Sequence, residues 1–152
     1  MEKKVYHLVN QVHWDSIDEF RDKVDILKIS EEDLENIEFE KGVESDEEKI
    51  QNLAENGFPT VLFTKCEEGT ILARKGLPIE EIPTFRVDGD TAGAGDTFSV
   101  GFMVEYLNSK DLVAAVAFGS ACASYKIAGE EYDYQKAEEK AKQTLRKMAV
   151  VL

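Results

Sequence analysis

Between residues 90 and 98 the chain reads Asp90-Thr91-Ala92-Gly93-Ala94-Gly95-Asp96-Thr97-Phe98, a run of small residues held between two aspartates with a helical pattern directly behind it. Small residues let a backbone pass close to a ligand, and consecutive N–H groups at the head of a helix form a concave anion site. Asp96 falls where those N–H groups converge. A carboxylate is the wrong group to hold a phosphate, but it can take a proton from a hydroxyl that attacks one. These residues therefore point to phosphoryl transfer to an alcohol. The plainer reading is a tight Gly/Ala turn that caps an ordinary helix.

Strand and helix patterns alternate along the rest of the chain. Val5–Asn10 reads as a strand, Asp15 can cap a short helix over Ile17–Lys23, and Val24–Ile29 reads as a second strand. Ser30 with Asp33, and Ser45 with Glu48, have the spacing of capping boxes, and Asn56-Gly57 is a good helix stop. Pro59–Thr64 and Thr70–Arg74 form a hairpin about Glu67-Glu68-Gly69, and a further strand near Thr84–Val87 leads into the small-residue loop. Three helices follow: Thr97–Leu107, one capped by Asp111 and running to about Tyr125, and Tyr134–Ala149. This alternation predicts a three-layer α/β/α arrangement on a mostly parallel sheet, with the ligand beyond the carboxyl ends of the strands.

Composition narrows the partners. A chain of 152 residues is one domain with room for a core, and 43% hydrophobic with 32% charged residues is globular. A formal net charge of −13 argues against nucleic acid or anionic membranes as partners. An anion site on so acidic a protein must be made locally, from backbone dipoles and a bound cation. Cys66 and Cys122 lack metal-ligand spacing, and with neither signal peptide nor long apolar run the reading is a reduced, cytoplasmic protein. His7 and His13 form no recognisable pair and read as structural or exposed.

The stretch 90–98 resembles the second signature of the ribokinase (PfkB-type) carbohydrate kinases, D-T-x-G-A-G-D-x-F, with every fixed position matched. No G-K-[ST] follows, so it is not a Walker loop, and its glycine spacing is not the Rossmann pattern. The resemblance implies a ribokinase-like fold, ATP with magnesium (Mg2+) as donor, and a sugar or sugar-like alcohol as acceptor. It makes Asp96 the general base, and the N–H groups of Gly93, Ala94, Gly95 and Asp96 the anion hole. Asp90 matches the family's cation-side aspartate, which implies a monovalent cation, K+.

The resemblance extends to three further segments. Asp25–Leu34 looks like the strand-to-helix segment that ends in N-x-x-E, with Ser30 for the Asn and Asp33 for the Glu; Asp33 would then meet magnesium through water. A Ser-x-x-Asp capping box explains the same residues, and the two readings are compatible. Thr64-Lys65-Cys66-Glu67-Glu68-Gly69 matches the nucleotide loop T-x-G-x-x-G except at Cys66, which places Thr64, Lys65 and Gly69 beside the nucleotide phosphates; an ordinary hairpin turn is the alternative. Phe118–Ser124 resembles the alanine-rich helix lining the adenine pocket, with Ser120 facing the base; otherwise it is a small-residue helix packed on the sheet.

The match runs from about residue 24 to the end, the C-terminal half of such a kinase. The family's first signature, its acceptor-binding aspartate and its small β lid have no counterpart here, and near Tyr6–Val12 only Asn10 survives of a D-x-N-x-R strand. Two readings of different class follow: a phosphotransferase, or a noncatalytic nucleotide-binding fragment or part of a split kinase. The partners implied are a nucleotide, a complementing N-terminal half, or further copies in a homo-oligomer through an open sheet edge.

Overall fold

In the computed structural model, residues 14–150 are described, and the expected strand over 5–10, the remnant near 6–12 and both histidines lie outside them. The described chain divides into two compact units, one of residues 14–65 with 70–81, the other of residues 66–69 with 82–150.

The first unit carries the sheet. A 3-10 turn at Trp14–Phe20 replaces the expected short helix and precedes strand β1, Ile26–Ser30. Ser30 caps α1, Glu31–Glu35, and Ser45 caps α2, Asp46–Glu55, each through a complete capping box with Asp33 and Glu48. Asp22 donates its N–H to the carbonyl of Gly57 at 2.9 Å, tying the chain before β1 to the end of α2. Strands β2, Thr60–Thr64, and β3, Thr70–Arg74, follow, and β4 is the short Glu80–Ile82.

The strand order is β1-β2-β3-β4, and the sheet is mixed: β1 and β2 run parallel, β2 and β3 antiparallel as the expected hairpin. Register aligns Leu27 with Val61 and Ala73, and Ile29 with Phe63 and Ile71, so one face presents two apolar rows. Ile50, Leu53, Ala54 and Phe58 join them in a continuous buried cluster. Ile26, Leu62 and Leu72, at the alternate positions, are buried too, so these strands read as apolar runs rather than alternating ones. The strand expected near Thr84–Val87 is absent; β4 ends just before Pro83, which lacks the N–H a ladder needs. Phe85 instead packs against the helical cluster of the second unit.

The second unit is helical: α3, Ala94–Ser109; α4, Leu112–Ala128; and α5, Tyr134–Val150. Its buried cluster holds Ala117, Phe118, Ala121, Cys122, Ala137 and Ala141. Helices α3 and α4 meet at glycines. A Cβ on Gly119 would lie 2.7 Å from the carbonyl oxygen of Phe98, and one on Gly101 2.9 Å from Sγ of Cys122. The small residues of α4 thus serve a helix-to-helix contact within this unit. Of the described helices none is long and apolar enough to cross a membrane.

Candidate functional site

The head of α3 differs from every other described helix start. Ser30, Ser45 and Asp111 each cap a helix with their own oxygen, and Asp133 Oδ1 accepts the N–H of Lys136 at 2.8 Å in the first turn of α5. The cap of α3 is Gly93, left-handed at φ +77°, with no side-chain cap. First-turn N–H groups have no acceptor within their own helix. Ala94 gives its N–H to the carbonyl of Thr91 at 3.1 Å, while Thr97 donates to the carbonyl of Gly93 at 3.0 Å. The N–H groups of Gly95 and Asp96 have no side-chain oxygen of a cap to turn to. Donors and the positive end of a sixteen-residue helix dipole therefore converge on one spot.

Asp96 stands in this first turn, exposed, and is one of the residues lining a cleft of about 380 Å³. The cleft continues over Val100, Gly101, Val104, Phe118, Cys122 and Tyr132. Burial pushes the Cys122 thiol up, and the Tyr132 hydroxyl is raised by its own burial and then by the neighbouring sulfur. Both groups are therefore neutral near pH 7.

Asp90 accepts the N–H of Ala92 on Oδ1 at 2.9 Å and remains exposed. The residue before it, Gly89, has φ +151°, and a Cβ there would run into the carbonyl of Ile127. This backbone-to-backbone contact sets where the loop starts, and the sequence reading missed it because nothing local pairs Gly89 with a residue thirty-eight positions on.

In the hairpin turn, Cys66 takes φ +51° and Gly69 φ +98°. A Cβ on Gly69 would lie 2.5 Å from the carbonyl oxygen of Ile82, so this glycine is required by space as well as by conformation. Cys66, where the resembling motif has glycine, keeps the left-handed conformation, so its Cβ strains the turn without changing its course. Gly69 donates to the carbonyl of Cys66 at 3.3 Å. Thr64, in the first unit, donates its hydroxyl to the carbonyl of Ile29 at 3.3 Å, tying β2 to β1; Lys65 beside it is half-buried.

Asp33 is buried in the first unit. Its Oδ2 accepts both the N–H and the hydroxyl of Ser30 at 2.8 Å, and its N–H donates to Ser30 Oγ at 3.2 Å. The capping box is thus formed, and it engages one of the two carboxylate oxygens. Ser120 is buried on α4. Among the described residues no three of His, Cys, Asp and Glu gather as a metal cage.

Comparison with known proteins places these features. Residues 5–136 match the pfkB family carbohydrate kinase. The chain is 34% identical over 116 residues to a ribokinase of Haemophilus influenzae, covering 72% of this chain and 37% of that protein. A ribokinase structure from Thermotoga maritima superposes with a TM-score of 0.66 at 26% identity, over 82% of this chain and 43% of that one. The Arabidopsis thaliana ribokinase complexed with ribose and ATP has the same fold, with a TM-score of 0.64 at 24% identity, over 80% of this chain and 42% of that one. The chain spans about two fifths of the length of these relatives. With its small-residue loop, uncapped helix head and ribokinase-like α/β fold, the chain belongs to the pfkB family of carbohydrate kinases.

Proposed function

We propose that this chain is the nucleotide-binding, phosphoryl-transferring part of an ATP-dependent carbohydrate kinase that moves the γ-phosphate to an alcohol of a sugar or sugar-like acceptor. The observation that carries this reading is the head of α3, where a glycine cap leaves the helix without a side-chain cap and Asp96 stands in the same turn. Asp96 accepts the proton of the attacking hydroxyl. The N–H groups of Gly93, Gly95 and Asp96 oppose the charge on the transferred group, and that of Ala94 joins them if it exchanges the carbonyl of Thr91 for the anion. In a loose phosphoryl-transfer transition state most of the gain comes from such positioning.

Thr64, Lys65 and Gly69 flank the polyphosphate in this proposal, and Ser120 the base. A magnesium ion fits these residues only together with the nucleotide, because a lone buried carboxylate, Asp33, falls short of a protein cage and magnesium keeps waters and phosphates as ligands. When bound, it neutralises charge on the polyphosphate. Asp90 is the group for a monovalent cation, K+. Two free thiols fit a reducing, cytoplasmic setting.

A second reading, a nucleotide-binding part that needs a complementing half for turnover, is favoured by the 37% coverage of the Haemophilus ribokinase. Calorimetric titration with ATP and magnesium, on the chain and on Asp96→Asn, tests the proposal. Binding is expected in both, with turnover of the assembled kinase reduced roughly 10²–10⁴-fold in the variant. Undiminished turnover removes Asp96 as the base. Absence of ATP binding in both proteins removes the nucleotide reading.

A further inference from the structure

The stretch from Asp90 to Phe98 carries two carboxylates and no basic residue, in a chain of net charge −13. A phosphate drawn to the head of α3 therefore meets like charge beside its backbone donors, and positive charge has to come from another element. Several cations of the second unit are already engaged. Lys110 lies over the Tyr106 ring at the opposite end of α3, Lys140 over the rings of Phe85 and Tyr125, and Lys142 pairs with Glu138 at 2.9 Å.

Lys126 is placed differently. It stands in the last turn of α4, where Gly129 donates to its carbonyl at 3.2 Å and Glu130 donates to that of Tyr125 at 3.0 Å. From this fixed backbone the side chain reaches the small-residue loop: its Cε lies 3.7 Å from where a Cβ on Gly93, the left-handed cap of α3, would stand. The next residue, Ile127, meets Gly89 through its carbonyl, so consecutive residues of α4 touch both ends of the loop. Lys126 is exposed, its ammonium one bond beyond Cε, and among the described residues no carboxylate pairs with it. At the end of α4 a lysine suits the helix dipole, but beside the head of α3 it adds positive charge to a positive end. An anion held by both the ammonium and the first-turn N–H groups removes that conflict.

We propose that Lys126 is a phosphate-binding residue, contributed by α4, that holds the transferred phosphoryl group against the head of α3. The inference rests on the nucleotide reading above and adds a residue and a discrimination between nucleotides. In the transfer, the acceptor oxygen bonds to the γ-phosphorus, the bridging P–O bond breaks with its electron pair leaving on ADP, and the hydroxyl proton passes to Asp96. Lys126 keeps its own proton throughout and offsets phosphate charge as a point cation. Because ADP has no γ-phosphate, Lys126 favours ATP over ADP.

The test is calorimetric titration of the chain, Lys126→Met and Lys126→Arg with ATP and with ADP, magnesium present throughout. Loss of one charge-assisted contact at an exposed site should weaken ATP binding by Lys126→Met roughly 5–20-fold, with ADP binding changed less than about twofold. Lys126→Arg, which keeps the charge, should stay within about threefold of the parent for both nucleotides. Unchanged ATP binding in Lys126→Met overturns the inference and leaves the nucleotide reading standing. Equal weakening of ATP and ADP overturns it too, as does an arginine variant no better than the methionine one. Circular dichroism melting accompanies each titration; an exposed side chain should leave the curve at the parent's position, and a collapsed one in Lys126→Met would show a structural role and sink the proposal. A parent chain that binds neither nucleotide removes the nucleotide reading, and this inference with it.

Discussion

Replacing Gly119 with alanine reverses the usual sign of a helical Gly→Ala change, and the size of the reversal follows from one contact. In the middle of a helix alanine is favoured over glycine by about 0.8–1 kcal/mol. Gly119 lies inside α4, but a Cβ there would stand 2.7 Å from the Phe98 carbonyl oxygen, 3.1 Å from its ring and 3.2 Å from the Phe102 nitrogen. Two of these three atoms are backbone and cannot rotate away, so α3 and α4 must separate. Overpacking of this kind costs typically ~1–3 kcal/mol, and a rigid obstacle belongs in the upper part of that range. After the propensity gain, the net loss is about 1–2 kcal/mol, which lowers Tm by roughly 3–6 °C in a chain of this size. Gly101→Ala is the comparison. Its added Cβ meets chiefly the Cys122 side chain, 2.9 Å from Sγ, which can give way, so the loss there is smaller. Urea and thermal unfolding followed by far-ultraviolet circular dichroism report on these helices. A Gly119→Ala protein as stable as the parent, or more so, would refute the close-contact argument.

Three further changes probe the turns and caps. Cys66→Gly relieves a left-handed non-glycine residue, and after the entropy of a freer unfolded chain it should stabilise by up to about 1 kcal/mol in urea unfolding, with Cys66→Ala close to neutral. Gly93→Ala puts a Cβ on the left-handed cap of α3 and should cost about 1–2 kcal/mol while weakening ATP binding by calorimetry. Glu48 accepts the N–H groups of Glu44 and Ser45, which hold its carboxylate below the ordinary value of 4.5. A folded-state value below the unfolded one favours the folded protein above pH 4.5, and this contribution fades as pH falls through the lowered value. Acid unfolding of Glu48→Gln should therefore depend less on pH in the region below 4.5, and an unchanged slope would contradict the assignment.

What the sequence discloses here is what is local. Ser30 with Asp33 and Ser45 with Glu48 need only three-residue spacing, and both boxes form; Asp111 caps α4 at the expected place. The hairpin between β2 and β3 follows from turn residues and apolar runs, as does the helix behind the loop, although it starts at Ala94, ahead of the expected Thr97, and so brings Asp96 into its first turn. Tertiary facts stay hidden. The alternation at Thr84–Val87 reflects Phe85 reaching a helical cluster rather than a ladder, and the small residues of α4 read as room for a sheet or a ligand until Gly101 and Gly119 are seen against α3. The left-handed conformations of Cys66 and Lys110 run against residue preference, and no propensity argument would place them there.

Gly89 carries a consequence for how this protein can vary. It is exposed, sits in a loop and touches no cluster of side chains in the core, so by the usual criteria it should accept almost any residue. Yet its α-hydrogen faces the carbonyl of Ile127, and any side chain in that place would displace the strand of backbone that leads into Asp90. In a saturation library scored for nucleotide binding, position 89 should therefore behave like an interior site, its tolerance governed by a peptide group near the end of α4 rather than by its own surroundings in sequence. Changes that tilt the last turn of α4 would then be read out at the other side of the contact, as altered placement of the loop, although they alter none of its residues.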